Sequence, residues 1–169
     1  MIASACIVLV AIVQLVAGTT QTPPLTQCAG VENPIVEILE VTIEDAKLGK
    51  KVKVDGTVRA NAEVGTNPVL LISFASSNGA ELPCVEDVLP CELKLCDGTT
   101  RLEKQLNEDW NNKCPVQPGT YKAHLSFRLP KDEEAVEFFG DGTITVTLKL
   151  VDSGDLQDCV SFPVTVDLD

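Results

Sequence analysis

The chain has 169 residues, is 44% hydrophobic but only 4% aromatic, and carries a formal net charge of -12 at pH 7. A surface that binds nucleic-acid phosphates needs clustered lysine and arginine, and the 13 basic residues against 25 acidic ones form no such cluster. Composition and charge therefore exclude nucleic acid as a predicted partner.

Residues 1–19 predict a secretory signal peptide. The segment is apolar from Ile2 to Ala17 apart from a few small residues and Gln14, and it ends in small residues. Its run of about 16 apolar residues is shorter than the roughly 20 that a membrane-spanning helix needs. Removal of this segment leaves roughly 150 residues, a length typical of one domain, which we place at residues 26–169.

Cysteine is the most informative residue type in the chain. Of the seven cysteines, Cys6 lies in the predicted signal peptide, and an even set of six remains. An even number in a secreted domain predicts three disulfides, but the spacing does not choose among the many possible connectivities. No pair has the Cys-x2-Cys spacing of a zinc site, so no metal or other cofactor is predicted.

Segments with period-two hydrophobicity recur along the mature chain. In residues 114–130, Tyr121, Leu125 and Phe127 share one parity, whereas Lys122 and His124 share the other, as in a half-buried strand. The comparable segments are residues 36–44, 51–64, 68–76, 142–152 and 159–168. Short alternating strands without long helices between them predict an all-β, antiparallel, two-sheet β-sandwich.

Two segments depart from this alternation. In residues 99–110, Leu102, Leu106 and Trp110 are spaced four apart, and Thr100 with Glu103 forms a capping box, which predicts one short helical loop. Residues 130–142 are interpreted as an acidic connection that ends in a Gly-Asp-Gly turn.

No catalytic residue is predicted. Nucleophilic catalysis of the Ser-His-Asp or Cys-His type needs a histidine beside the nucleophile, and His124 is the only histidine. Its parity places it on the outward face of its strand, and the acidic clusters lie in turns. We therefore expect a protein that is not an enzyme.

The interior of the predicted sandwich has two possible forms. Scarce aromatic residues mean that the inward faces consist largely of Val, Leu and Ile. Such sheets can close to about 10 Å, as most sandwiches do, or can splay and leave an aliphatic pocket. Composition alone does not decide between these forms.

The order of cysteines and turns resembles the ML lipid-recognition domain family, and within it the ganglioside-activator branch. The matching residues are Cys84, Cys91 and Cys96, then Cys114-Pro115 with the Gly119-Thr120-Tyr121 turn, then Cys159. The resemblance covers about residues 26–168 and implies the disulfides Cys28/Cys159, Cys84/Cys91 and Cys96/Cys114. The chain departs from the activator branch because it lacks a further cysteine pair before Cys114.

This resemblance implies an immunoglobulin-like sandwich with an internal apolar cavity for lipid. In the activator branch, the protein extracts a glycosphingolipid from a membrane, which it contacts transiently, and presents it to a lysosomal glycosidase such as β-hexosaminidase. The implied location is the secretory pathway, ending in the lysosome or outside the cell. The alternatives are a sterol or phospholipid carrier and a lipid-sensing extracellular co-receptor.

The strand parities and the resemblance together give a predicted site. The residues expected to line the lipid cavity are Leu71, Phe74, Leu125, Phe127, Ile144, Val146, Leu148, Phe162 and Val164. The residues expected in membrane-contacting loops are Trp110, Val136, Phe138 and Phe139. The alternative for these loop aromatics is that they pack into the core.

Overall fold

A computed structural model describes residues 19–31, 34–85 and 88–169 of the chain. The predicted signal peptide lies outside these ranges except for Thr19, and it stays a prediction. Within the described ranges, no helix is both long enough and apolar enough to cross a membrane.

The described residues form ten β-strands, two α-helices and one 3-10 helix. In chain order these are β1 (Thr20–Gln21), β2 (Thr26–Gln27), β3 (Val36–Glu44), β4 (Lys51–Ala60), β5 (Pro68–Ser76), β6 (Glu81–Leu82), β7 (Glu92–Lys94), α1 (Arg101–Leu106), the 3-10 helix (Glu108–Trp110), β8 (Gly119–Arg128), α2 (Glu133–Phe139), β9 (Thr143–Asp152) and β10 (Asp155–Thr165).

The strands form two antiparallel sheets, which confirms the predicted all-β sandwich. Sheet A has the strand order β1-β3-β4-β8, and sheet B has the order β2-β10-β9-β5-β6, with β7 also paired to β5. The predicted strands at residues 36–44 and 68–76 have the predicted bounds, whereas the one predicted at 51–64 ends at Ala60. The strands that sequence patterning missed, β1, β2, β6 and β7, are two or three residues long, too short to show a period.

Alternation along β8 places its apolar residues between the sheets, as predicted. Ala123, Leu125 and Phe127 pack against the core, whereas Lys122 is exposed on the outer face of sheet A. Ser126 lies on the same outward parity but is buried, because α1 covers it: its hydroxyl accepts a hydrogen bond from Gln105 Nε2 at 3.3 Å. The free edge of β8 is therefore shielded by α1 and the 3-10 helix, a common protection of edge strands.

The acidic connection predicted at residues 130–142 is wrong, because this segment contains helix α2. The Asp132 carboxylate accepts a hydrogen bond from Ala135 N at 2.8 Å and caps the helix, and Gly140 ends it with a φ of 59°. Ala135 and Phe139, four residues apart, form its buried face. The fold thus has two short α-helices where one helical loop was expected.

Three disulfides join the cysteines in the pairs that the resemblance implies: Cys28–Cys159, Cys84–Cys91 and Cys96–Cys114. The first spans 131 positions and ties β10 to the segment after β2. In the chain-entropy model, a loop of this length stabilises the fold by about 5 kcal/mol. Three disulfides in a domain of this size are typical of an oxidising compartment such as the secretory pathway.

Candidate binding cavity

An apolar cavity of about 200 Å³ lies between the two sheets. A single water needs roughly 10–15 Å³, so this space exceeds that of one water more than tenfold. Strands β3, β4 and β8 of sheet A line one side, and β5, β9 and β10 of sheet B line the other. The side chains in its lining are all apolar, and cavities of this kind stay dry or hold an apolar ligand.

The cavity lies at mid-height of the sandwich, where several inward-facing side chains are not fully packed. Val54 and Val58 of β4 and Leu148 of β9 face inward from central strands, yet they are only partly buried. In contrast, both ends of the sandwich are tightly packed. Leu48 and Phe139, at one end, are 1% and 3% exposed, and a backbone bridge joins Val64 to Val116 at the other.

All of the predicted wall residues except Leu71 line this cavity: Phe74, Leu125, Phe127, Ile144, Val146, Leu148, Phe162 and Val164. Their proposed contact with lipid stays a prediction, but the structure brings them together. Leu71 as a wall residue is wrong, because β5 directs Leu70 and Ile72 inward and Leu71 outward, where it pairs with Glu92 and Lys149. Strand β5 is apolar on both faces, so its sequence pattern does not indicate which face points toward the cavity.

Sheet A supplies wall residues that the predicted site omitted. The inward residues of β3 and β4 include Ile38, Val41, Ile43, Val54 and Val58, and all of them line the cavity. The alternation that identified β8 also runs through β4 and could have found Val54 and Val58. In β3 the inward parity changes at the irregularity between Ile38 and Glu40, so a single alternation does not identify all three of its wall residues. Val88, Leu89 and Pro90, in the loop closed by the Cys84–Cys91 disulfide, also line it.

Helix α1 forms a third wall on the side where β8 faces the edge of β5. Leu102 and Leu106 are buried and line the cavity, as their spacing within the predicted helix suggested. The capping box is present: Thr100 Oγ1 accepts a hydrogen bond from Glu103 N at 3.2 Å, and the Glu103 carboxylate accepts one from Thr100 N. The predicted short helix is confirmed.

The Glu103 carboxylate also attaches α1 to sheet B. It accepts hydrogen bonds from Lys94 N of β7 at 3.1 Å and from Thr99 N at 2.8 Å, in addition to Thr100 N at 2.9 Å. Burial raises the pKa of Glu103, but the N–H groups of Thr100, Lys94 and Thr99 outweigh this effect and hold its pKa below the ordinary value. An ionised carboxylate therefore holds this wall in place.

Trp110 belongs to the cavity wall, not to an exposed loop. It lines the cavity, its Nε1 donates a hydrogen bond to Leu95 O at 2.6 Å, and its ring meets that of Tyr121 edge-on with centroids 6.0 Å apart. Tyr121 in turn donates from its hydroxyl to Gln117 O at 2.7 Å. Both polar aromatic groups are therefore already paired with backbone carbonyls.

The predicted membrane-contact residues of α2 separate into two groups. Phe139 is 3% exposed and lines the cavity, so its assignment to a membrane-contacting loop is wrong and the alternative of core packing holds for it. Phe138 is partly buried with its ring 5.0 Å from that of Phe139. Val136 is 44% exposed and is the member most accessible to a membrane.

The polar residues lie outside the cavity. His124 Nδ1 is 2.6 Å from Asp55 Oδ1, a cross-strand pair on the outer face of sheet A that is about half exposed. Among the described residues, no three His, Cys, Asp or Glu side chains are placed to hold a metal ion. The cavity therefore offers shape and apolar surface, and no polar side chain, to whatever occupies it.

Comparison with known proteins identifies the family. A family model described as ML domain matches residues 23–166. A search of the curated proteins finds no match. Among solved structures, the chain is similar to a Niemann-Pick type C2 protein from Japanese carpenter ant, with 12% identity over 89% of this chain and 92% of that one and a TM-score of 0.48. It is also similar to the C-terminal domain of wzt, with 10% identity over 85% and 77% of the two chains and the same TM-score of 0.48.

The family match spans most of the chain, and it agrees with the disulfides and the two-sheet architecture described above. The chain belongs to the ML domain family.

Proposed function

We propose that the protein binds the hydrocarbon part of a lipid in the cavity between the sheets and carries it between membranes. The observation that carries this proposal is the apolar lining of the cavity between the two sheets. Each methylene moved from water into such a site contributes about 0.8 kcal/mol, so a chain of about 14 carbons gains roughly 11 kcal/mol. A solvated lipid would bind tightly.

Transfer from a bilayer has a different energy balance. A lipid tail in a membrane is already in an apolar medium, so its move into the cavity gains almost nothing. The protein can therefore release lipid as readily as it takes it up, which suits a carrier. It then needs a surface that rests on the membrane, and Val136 with Phe138 is the proposed contact.

The finer part of the proposal is that the lipid is a glycosphingolipid that the protein presents to a lysosomal glycosidase such as β-hexosaminidase. The cysteine order supports this assignment, and the absence of polar groups in the lining supports a ligand whose headgroup stays outside. In this role the protein is an activator that performs no chemistry itself. A glycosidase assay on vesicle-bound glycosphingolipid, with and without the protein, tests this part separately.

The test of lipid binding is native mass spectrometry of the secreted protein, followed by organic extraction and lipid identification. We expect a bound species whose mass matches an extracted lipid, and uptake of lipid from mixed vesicles by the stripped protein. Sterol or phospholipid in the extract would favour a general carrier over a glycosphingolipid activator. A protein that carries no lipid and takes none up would overturn the proposal.

A further inference from the structure

Among the described strands, Gly56 is the only glycine at an interior position. It lies near the middle of β4, which sheet A holds between β3 and β8, and it lines the cavity. Glycine weakens a strand, because it has no side chain to pack and loses more conformational freedom on folding than other residues do. A glycine inside a strand therefore often marks a bulge, a bend or a place where another group approaches the backbone closely.

The fold itself does not require glycine at position 56. Gly56 does not have a positive φ, so its backbone conformation is open to other residues. A Cβ atom built on it would lie 3.5 Å from Ala123 Cβ and 3.7 Å from Glu40 O, which are ordinary van der Waals contacts. The register between β4 and β8 is unbroken, and the irregularity of β3 between Ile38 and Glu40 still leaves room for this Cβ. The remaining reason for a glycine is the approach of a ligand.

Gly56 and Ala123 together form a recess in the wall that sheet A gives to the cavity. The two residues pair across β4 and β8, both line the cavity, and between them they contribute a single methyl group to it. Bulkier pairs flank them on both sides: Val54 with Leu125, and Val58 with Tyr121. Successive inward residues of a strand are about 6.6 Å apart. The recess is therefore one residue wide and runs across the strands.

We propose that a bound lipid rests one linear hydrocarbon chain against Gly56, and that the missing side chain of this residue determines which lipids fit. The inference rests on the proposed lipid-binding function and adds to it a class of ligand and a specificity-determining residue. Methylene groups pack at about 3.5–4.0 Å from neighbouring carbon atoms, so a single chain fits a recess one residue wide. The fused rings of a sterol are broader than such a chain and cannot enter the recess.

The volume of the cavity agrees with a linear chain. The cavity measures about 200 Å³. A cavity of about 150 Å³ lined by similar aliphatic and aromatic side chains binds one benzene molecule. The space between the sheets therefore suits a segment of one hydrocarbon chain and is too small for a sterol ring system. Because no polar side chain lines it, the polar end of the lipid stays outside.

Fluorescence titration of the secreted, delipidated protein tests the proposal, with trans-parinaric acid as the linear probe and dehydroergosterol as the sterol probe. We expect the wild type to bind trans-parinaric acid at least about tenfold more tightly than dehydroergosterol. Gly56→Val places a branched side chain in the recess and should weaken binding of trans-parinaric acid at least about tenfold, because it displaces methylene groups of the probe. Gly56→Ala, which adds one carbon, should cause a smaller loss.

The stability of Gly56→Val separates a ligand-binding role from a structural one. The added Cβ makes only ordinary contacts, and valine favours strands. The Tm of this variant should therefore be equal to or above that of the wild type, although its binding is weaker. Ala123→Val fills the same recess from β8 and should also weaken binding.

Thr57→Val is the matched control. It places the same side chain one residue along β4 on the outer face of sheet A, where Thr57 Oγ1 accepts a hydrogen bond from Lys122 Nζ at 2.7 Å. It should leave the binding of both probes unchanged. Unaltered binding in Gly56→Val, a large fall in its Tm, or a wild type that prefers dehydroergosterol would each overturn this inference and leave the proposed function standing. A wild type that binds neither probe would overturn both.

Discussion

Asp158 Oδ2 accepts a hydrogen bond from Ile38 N at 2.8 Å and so joins β10 of sheet B directly to β3 of sheet A. The Asp158 side chain is buried, and its Oδ1 accepts from Gln27 Nε2 at 2.5 Å and from Cys159 N at 2.8 Å. Both strands have a register irregularity at this point, in β3 between Ile38 and Glu40 and in β10 between Leu156 and Asp158. One carboxylate thus closes this side of the sandwich, opposite to the wall formed by α1.

Replacing Asp158 with Ala is expected to destabilise the fold by about 2–4 kcal/mol. The change leaves the buried N–H groups of Ile38 and Cys159 without acceptors, and each unsatisfied group costs about 1–3 kcal/mol. Urea unfolding of the disulfide-bonded protein measures the loss. Asp55→Ala is the control, because Asp55 pairs with His124 at the exposed surface, where such pairs contribute less than about 1 kcal/mol. Equal losses in the two variants would contradict a structural role for Asp158.

Replacing Glu103 with Gln is expected to cost about 1.5–3 kcal/mol at neutral pH, because three backbone N–H groups lose a charged acceptor. The folded-state pKa of Glu103 is lowered from 4.5, so its contribution is fully present above that value and is lost as the pH falls through the folded pKa. The difference in Tm between the wild type and Glu103→Gln should therefore shrink as the pH falls below 4.5.

Glu108→Gln provides the control for this pH dependence. Glu108 is exposed at the start of the 3-10 helix, close in sequence to Glu103. Its replacement should change Tm little at any pH. The Tm difference between wild type and Glu103→Gln could instead stay constant down to strongly acidic pH. That result would mean that the ionised carboxylate does not hold α1 in place.

Sequence patterning succeeded where the two faces of an element differ in polarity. Strand β8 alternates apolar and charged residues, so Leu125 and Phe127 were assigned correctly to the interior. Strand β5 is apolar on both faces, and Leu71 was placed on the wrong one. Helix α2 was missed because its acidic first turn resembles a loop, although the Asp132 cap and the spacing of Ala135 and Phe139 indicate a helix.

The cavity itself depends on contacts that are distant in the sequence. Asp158 joins β3 to β10 on one side of it, and Glu103 attaches α1 to Lys94 on the other. Neither contact has a local sequence signature. The composition of the walls was therefore predictable from strand parity, whereas the separation of the sheets was not.

Replacing Leu148 with Trp is expected to fill the cavity and reduce lipid uptake from vesicles at least about tenfold, because the larger ring takes the space of the tail. Overpacking of a full core costs about 1–3 kcal/mol, but the open space beside Leu148 should reduce this cost. Lys149→Trp places the same ring on the outer face of β9 and should leave uptake unchanged. Uptake that survives in Leu148→Trp would place the lipid elsewhere.

Val136 and Phe138, the accessible members of the α2 segment, and its buried member Phe139 should respond differently to substitution. Val136→Ser with Phe138→Ser is expected to weaken vesicle binding, since Val136 is 44% exposed and Phe138 is partly accessible, while Tm changes little. Phe139→Ala should instead cost about 3–5 kcal/mol of stability, because its ring packs between Phe138 and the cavity. Vesicle co-sedimentation and thermal unfolding of both variants separate the two effects. Unchanged vesicle binding in the double variant would assign membrane contact to another part of the surface, and a large loss of stability would mean that Phe138 is a core residue.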